Sequence, residues 1–217
     1  MSTPRLQLAL DCADLPAALA PLARCAADFD VIEVGTVLLF AEGLHAIRAI
    51  RAIAPDHTIL ADARIAEAGS VLAPPFFSAG ADWVSCVAGA SLTTIEQTVA
   101  AAHRHGGAVQ VELGETYDPD RARAWRDLGV EHVIVKRSRD REAAGELSWG
   151  AQDVDRIAAL DALGFTVTVT GGIGPRDLPA LAGAPVGVVI AGRSIVAAAD
   201  PASAAASLRT AMREVWS

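Results

Sequence analysis

The sequence predicts an α/β fold, a (β/α)8 TIM barrel forming a single domain over residues 1–217. Eight short runs of strand-forming residues alternate with helical segments. Hydrophobic residues make up 52% of the chain, and only 5% of it is aromatic, so the core material is mainly Ala, Val, Leu and Ile. Eight strand–helix units in 217 residues fit a closed barrel with short loops, whereas an open doubly wound sheet usually has about five to seven strands.

The predicted strands are near-continuous apolar runs, which is typical of a parallel sheet covered by helices. In chain order they are LQLALD from Leu6, DVIEVG from Asp30, TILADA from Thr58, DWVSCV from Asp82, AVQVEL from Ala108, EHVIVK from Glu131, FTVTVT from Phe165 and VGVVIA from Val186. Helix-start residues lie between them, namely Asp14, Ser91, Asp118 with Pro119, and Asp200 with Pro201. Pro74 and Pro75 remove two amide donors from the third helix, so we expect it to break or kink there.

Composition excludes several classes of function. A net charge of -8 argues against a nucleic-acid partner, because phosphate backbones bind basic surfaces. Cys12, Cys25 and Cys86 show no CxxC spacing, so neither disulfides nor a zinc site are indicated. No apolar run approaches the roughly 20 residues that span a bilayer, and the MSTPRLQLALD start does not resemble a signal peptide. We therefore expect a cytoplasmic protein with no membrane partner.

Charged residues interrupt or end five of the strands. Asp11 ends the first, Glu33 lies inside the second, Asp62 ends the third, Glu112 ends the fifth and Lys136 ends the sixth. A single such acid is equally well explained as a solvated loop residue or a structural ion pair. Four acids on four strands of one barrel favour a shared site, because barrel enzymes place their chemistry at the carboxyl ends of the strands.

Clustered carboxylates favour a hard divalent cation such as Mg²⁺, which takes oxygen ligands and commonly only one or two protein carboxylates. Glu33 and Asp62 are the candidate ligands. Arg64, Lys136 and Arg139 add positive charge at the same mouth, a combination that suits stabilisation of a developing oxyanion. No Ser/His/Asp triad is indicated, and we expect surface positions for the five histidines, His45, His57, His103, His105 and His132.

Glycines follow the last two strands, in TVTGGIGPRDL and IAGRS. A Gly-Gly pair alone indicates no more than a tight turn. Two glycine turns after strands seven and eight, however, are typical of the phosphate site of barrels. The candidate phosphate-binding residues are Thr170, Gly171, Gly172, Gly192 and Arg193, and they predict a phosphorylated small-molecule substrate.

These segments resemble the orotidine monophosphate decarboxylase suprafamily, and within it the 3-keto-L-gulonate 6-phosphate decarboxylases. The matching pieces are LALD, VIEVGT, LADARIAEAG in place of the family's DxKxxD motif, ADWV, VQVEL, RSRD, FTVTVTGG and IAGRSI. The related hexulose-6-phosphate synthases share the early motifs but generally lack RSRD and TVTGG.

The resemblance implies a homodimer with shared active sites, Mg²⁺ as cofactor and a phosphorylated sugar acid as substrate. It also implies that Asp11, Glu33, Asp62 and Glu112 keep the family roles and that residues from Thr170 to Arg193 bind phosphate. In the family's enzymes the lysine of the DxKxxD motif stabilises an enediolate, and the last acid of that motif reaches into the active site of the partner subunit.

Three positions depart from the family pattern: Arg64 replaces the lysine, Glu67 replaces the last aspartate, and Lys136 replaces the histidine before RSRD. Arginine is planar and bidentate where lysine is a point charge, so the exchange changes the geometry of the site. Glu67 is implied to pair with Arg64 of the partner, and Lys136 and Arg139 to help protonate the enediolate. Three functions stay open: a Mg²⁺-dependent decarboxylase, an aldolase joining formaldehyde to a ketopentose phosphate, and a phosphosugar-binding protein without catalysis.

Overall fold

A computed structural model describes residues 2–114, 116–137 and 149–217. Its strands are β1 Arg5–Leu10, β2 Val31–Val34, β3 Thr58–Ile65, β4 Trp83–Val87, β5 Ala108–Glu112, β6 His132–Lys136, β7 Thr166–Thr170 and β8 Val188–Ala191. They pair in parallel in chain order, and β8 pairs with β1 to close the barrel. The predicted (β/α)8 fold is confirmed.

The helices of the described residues surround this barrel. They are α1 Leu15–Cys25, α2 Thr36–Glu42, α3 Leu44–Ile53, α4 Gly69–Ser78, α5 Leu92–Arg104, α6 Pro119–Asp127, α7 Ala151–Ala162, α8 Arg193–Val196 and α9 Pro201–Val215, with 3-10 turns at Ala26–Asp28 and Leu178–Leu181. Asp14 and Ser91 cap their helices as predicted, accepting from Ala17 N at 2.8 Å and Thr94 N at 3.1 Å. In the described ranges, none of the helices combines the length and apolar character that a membrane crossing needs.

The proline pair does not break its helix. α4 continues through Pro74 and Pro75, so the expected break at these residues does not occur. Each proline removes an amide donor and its ring crowds the carbonyl four residues before it, but the Pro75 carbonyl still accepts from Ala79 N at 3.0 Å. Close packing also supports the helix, because a Cβ on Gly69 would lie 2.5 Å from Thr98 Oγ1 of α5.

The barrel interior is polar beneath its carboxyl end. Gln7, Ser85, Gln110 and Thr168 are fully buried. Gln110 Nε2 donates to Thr168 Oγ1 at 2.8 Å, and because β6 separates β5 from β7, this bond must cross the interior. This layer of buried polar side chains lies directly beneath the charged residues at the mouth of the barrel.

His132 differs from the expected surface position. It is 8% exposed, its ring packs against Trp83 with centroids 4.2 Å apart and the two planes tilted by 35°, and the Arg5 guanidinium lies over the same Trp83 ring. Burial, assisted by the charge of Arg5, lowers the pKa of His132 to about 4. The sequence placed His132 correctly at the start of a strand but did not reveal that its ring is buried against Trp83.

Because the folded pKa of His132 lies below its ordinary value of 6.5, the neutral ring stabilises the fold fully above that value. This stability is lost as the pH falls toward 4, on the order of 3 kcal/mol in all. We expect His132→Phe, which keeps an aromatic ring against Trp83, to flatten the pH dependence of the free energy of unfolding between pH 6.5 and 4. Urea unfolding at several pH values measures it, with exposed His45→Gln as the control. Equal acid sensitivity in the parent and His132→Phe would contradict the assignment.

Candidate active site

A cavity of about 410 Å³ opens at the carboxyl ends of the strands. Eleven of the predicted site residues line it: Asp11, Glu33, Asp62, Arg64, Glu112, Lys136, Thr170, Gly171, Gly172, Gly192 and Arg193. Glu67 is exposed and is not among the lining residues, and Arg139 lies outside the described residues. Residues from seven of the eight strands, or from the segments that follow them, thus meet around one space.

Glu33 is the most deeply perturbed acid of this cavity. It is 7% exposed and accepts a hydrogen bond from Gln7 Nε2 at 2.6 Å. Burial, then the nearby Asp62 carboxylate, raise the pKa of Glu33 well above its ordinary value, although the Gln7 hydrogen bond opposes the shift. The region around Glu33 therefore has an excess of negative charge.

Asp62 does not end its strand as predicted, because β3 continues to Ile65 with a shift of register against β4 between Ala61 and Ile65. Both carboxylate oxygens of Asp62 accept hydrogen bonds from neighbouring hydroxyl groups. Ser85 Oγ donates to Oδ1 at 2.7 Å, and Thr36 Oγ1 donates to Oδ2 at 2.6 Å. The carboxylate of this 4% exposed residue therefore has a fixed orientation in the cavity.

Arg64 follows in the irregular part of β3, with φ of +47°. Its amide donates to Ser85 Oγ at 2.8 Å, which holds this uncommon backbone conformation in place. Its guanidinium bridges two acids, with Nε 3.2 Å from Asp62 Oδ2 and Nη2 3.1 Å from Glu112 Oε2. Burial alone would lower the pKa of Arg64, but Asp62 and Glu112 outweigh burial and raise that pKa.

Glu112 joins two cations. Its Oε2 faces Arg64, and its Oε1 pairs with Lys136 Nζ from the end of β6. A chain of alternating charges therefore crosses the mouth from Asp62 to Lys136. Arg64 thus has two acidic partners within the chain, whereas the family resemblance had implied a pairing with Glu67.

Asp11 lies at the edge of the cavity, where Val37 N donates to its Oδ1 at 3.2 Å. A Cβ on Gly35 would overlap the Asp11 carboxylate and lie 2.9 Å from Leu10 O, so only glycine fits between β2 and α2 at this point. This close approach explains the glycine of VIEVG and fixes the amino end of α2 against the site.

The glycine turns after β7 and β8 form another wall of the cavity, which we call the glycine wall. Gly171 and Gly172 have φ of +112° and +69°, in the region that favours glycine. Gly192 lies close to β1, where a Cβ would be 3.3 Å from Ala9 O. Thr170 and the exposed Arg193 complete this wall. The predicted phosphate-binding residues therefore lie together along one side of the cavity.

The acids fit a magnesium ion. Glu33 and Asp62 both line one cavity, and the Asp62 carboxylate is, after burial, the largest cause of the raised Glu33 pKa, a repulsion that a divalent cation between them would relieve. Within the described ranges, no cluster of three or more Cys, His, Asp or Glu side chains is placed to hold a metal. Two carboxylates suffice for Mg²⁺ when substrate and water complete its octahedron.

Comparison with known proteins identifies the family. Residues 4–208 match the model described as the orotidine 5'-phosphate decarboxylase / HUMPS family. The chain belongs to this family. Among curated relatives, 3-keto-L-gulonate-6-phosphate decarboxylase UlaD of Escherichia coli is 42% identical over 216 residues, covering 100% of both chains. Membership and relatives together make the protein an enzyme, a decarboxylase of the carboxy-lyase class.

Solved structures of the orotidine 5'-phosphate decarboxylase / HUMPS family have the same architecture. KGPDC from Streptococcus mutans in complex with D-R5P superposes with a TM-score of 0.96 at 35% identity, over 100% of both chains. A 3-hexulose-6-phosphate synthase from Salmonella typhimurium has a TM-score of 0.87 at 33% identity, over 97% of this chain and 99% of that one. Decarboxylases and synthases of the family thus share this barrel.

Four polar residues of this family member's site were missed from sequence. Ser85 and Thr36 orient Asp62, Gln7 holds Glu33, and Arg137 lines the cavity next to Gly171. A usable signal existed for two of them, because Gln7 and Ser85 interrupt apolar strands just as Glu33 does. Thr36 and Arg137 follow their strands and lie in VIEVGT and RSRD, two of the segments that carry the family resemblance, but that resemblance assigned them no role.

Proposed function

We propose that the protein catalyses the Mg²⁺-dependent decarboxylation of a β-keto sugar-acid phosphate of the 3-keto-L-gulonate 6-phosphate type. One observation supports the proposal most strongly: a single cavity is lined by four carboxylates, four arginine and lysine side chains, and the glycine turns after β7 and β8. The names of the relatives support this substrate, since the UlaD proteins are described as 3-keto-L-gulonate-6-phosphate decarboxylases.

In this reaction the bond to the substrate carboxylate breaks, CO₂ leaves, and the electron pair passes toward the neighbouring ketone to form an enediolate. A proton added to carbon completes the product. Mg²⁺ held by Glu33 and Asp62 would supply positive charge to the substrate oxygens. The Arg64 guanidinium, fixed between Asp62 and Glu112, adds charge where the enediolate develops.

The proton has a candidate source in Lys136. Its ammonium pairs with Glu112 and lines the same cavity as Glu33, and it would deliver the proton to the enediolate carbon directly or through one water. The phosphate would bind to the amides of Gly171, Gly172 and Gly192, which fixes the other end of the substrate. The role of Arg139 in positioning this water stays a prediction.

The test is release of CO₂ from 3-keto-L-gulonate 6-phosphate in the presence of Mg²⁺. We expect turnover that EDTA abolishes and added Mg²⁺ restores. The likeness to a 3-hexulose-6-phosphate synthase keeps an aldolase as the second candidate, and formaldehyde-dependent consumption of ribulose 5-phosphate would identify it. Binding of both phosphosugars without turnover would contradict both enzymatic proposals.

We expect Arg64→Lys to keep kcat/KM within about threefold of the parent or to raise it, because a lysine at this position keeps the positive charge between Asp62 and Glu112. Arg64→Met, similar in length but neutral, should lose about 100-fold or more, since the charge facing the enediolate is gone. Steady-state kinetics of the two variants measure the difference. If Arg64→Met matches the parent, the cation does not assist the reaction.

We further propose a homodimer with shared active sites. Large apolar side chains stand exposed on the helices that follow β2, β3 and β4: Phe40 at 87%, Val71 at 68%, Leu72 at 46%, Val37 at 43% and Leu92 at 40%. The exposed Glu67 lies just before α4, in the same sector of the mouth. This sector fits the contact through which Glu67 would reach the partner's Arg64.

Phe40→Glu should convert the dimer to monomers at micromolar concentration, because an exposed aromatic anchor at an interface is replaced by a charge, at a cost of about 100-fold or more in Kd. Sedimentation velocity gives the oligomeric state. Ile53→Glu is the matched control, since this exposed residue ends α3 at the opposite end of the barrel. A monomeric parent protein would refute the proposed dimer. The cytoplasmic location stays a prediction.

A further inference from the structure

Arg137 is a buried cation next to the glycine wall, and no step of the reaction above uses it. Its side chain is 8% exposed. Its amide donates to Thr170 O at 3.1 Å, which continues the pairing of β6 with β7 by one residue. From there the guanidinium folds back onto the turn, where Nε and Nη2 donate to Gly171 O at 2.9 and 2.6 Å.

Further hydrogen bonds fix the turn that follows β7. Arg137 Nη1 donates to Asp177 Oδ1 at 3.2 Å, while Asp177 Oδ2 accepts from Gly174 N at 2.9 Å. Ser194 Oγ, from the turn after β8, donates to Ile173 O at 3.2 Å. The Arg137 guanidinium also lies 5.4 Å from the centre of the Trp149 ring. Side chains therefore fix the main chain between β7 and the 3-10 turn that follows.

Because the peptide group is planar, holding the Gly171 carbonyl also determines where the next amide points. A trans peptide is planar, with its carbonyl and amide pointing in opposite directions. Two donors that hold the Gly171 carbonyl therefore also fix the direction of the Gly172 amide, which points away from Arg137. A Cβ on Gly171 would lie 2.8 Å from Arg137 Cβ and 2.9 Å from its backbone N, so only glycine permits this contact.

We propose that Arg137 is a positioning residue for the glycine wall: it aims the Gly172 amide at the phosphate of the substrate and thereby sets the affinity for the phosphate group. The inference rests on the proposed function only in taking the bound anion to be the substrate phosphate. Asp177 assists by holding Arg137 and closing the turn. We expect the effect on phosphate binding, because Arg137 Nε and Nη2 both donate to the turn that carries the Gly172 amide, whereas Arg64 and Lys136 are held by Glu112.

The experiment compares Arg137→Gln, Arg137→Lys and Asp177→Asn with the parent. We expect Arg137→Gln to weaken binding of inorganic phosphate, measured by calorimetry, by about 10- to 100-fold, the effect of losing charge-assisted hydrogen bonds. KM for 3-keto-L-gulonate 6-phosphate should rise by a similar factor while kcat changes less than about threefold. Asp177→Asn should act in the same direction but more weakly. Urea unfolding of each variant checks that it folds.

Arg137→Lys separates positioning from charge. Lysine keeps the charge but cannot form the paired bonds to Gly171 O, so we expect it to restore little of the affinity. Exposed Arg176→Gln, in the same turn, removes an equal charge and should change phosphate affinity less than about twofold. Full recovery in Arg137→Lys, or an equal loss in Arg176→Gln, would overturn the inference. Phosphate binding is measured without turnover, so this result is independent of whether the decarboxylase proposal holds.

Discussion

Asp62→Asn is expected to lower kcat/KM for 3-keto-L-gulonate 6-phosphate by about 1000-fold or more, the scale of losing a principal charge-stabilising group. The carboxylate of Asp62 is one of the two candidate Mg²⁺ ligands and one of the two partners of Arg64. Asparagine keeps the volume but loses the charge. The substitution therefore removes metal affinity and the restraint on the catalytic cation together.

The hydrogen bonds of Asp62 increase the effect. Its oxygens accept from Ser85, Thr36 and Arg64, so an amide nitrogen at either oxygen position would meet a donor. The buried amide cannot satisfy all three donors, and an unmet buried donor is costly. We expect a small loss of stability in addition to the loss of turnover.

Three measurements test the Asp62 assignment. Steady-state kinetics gives the loss of activity, and calorimetric titration of Mg²⁺ should show weakened binding. The pKa of Glu33, followed by carbon NMR, should fall, because the Asp62 carboxylate is the largest cause of its raised value after burial. Asp127→Asn, at the exposed end of α6, is the control. An Asp62→Asn enzyme that runs at the parent rate would show that the metal-ligand assignment is wrong.

The barrel was predictable because eight parallel strands, each buried on both faces, leave a strong apolar signal in the sequence. The acids were predictable for the same reason, since a charge such as Glu33 inside an apolar strand is costly without a function. Parallel strands in chain order then bring all their carboxyl ends to one mouth. Strand prediction alone thus placed Glu33, Asp62 and Glu112 around one cavity.

Details that depend on local backbone geometry were not predictable. Asp62 was expected to end its strand, but the register shift carries β3 on to Ile65 and turns Arg64 toward Glu112. The burial of His132 depends on Trp83, which lies far from it in the sequence. Arg137 is the first residue of RSRD, but its role was not predictable because its contact is with a main-chain carbonyl, and a carbonyl is present at every position whatever the residue.

Glu112→Gln should lower kcat/KM by about 100-fold or more, because one carboxylate holds two cations and its loss releases both. Arg64 loses its Nη2 partner and Lys136 loses its Nζ partner. A glutamine amide offers one acceptor oxygen and one donor NH₂ group. Either Arg64 or Lys136 would therefore face the NH₂ group, which cannot accept its hydrogen bond. Neither cation can then keep the position that the carboxylate gave it.

A double-mutant cycle with Lys136→Met shows through which cation Glu112 acts. If Glu112 works mainly by placing Lys136, the double variant should be about as slow as Lys136→Met alone, and the two effects will not add. If it works mainly through Arg64, the losses should multiply. Glu131→Gln, an exposed acid just before β6, is the control and should stay within about twofold of the parent. Parental activity in Glu112→Gln would mean that Asp62 alone holds Arg64 in place and that Lys136 needs no anchor.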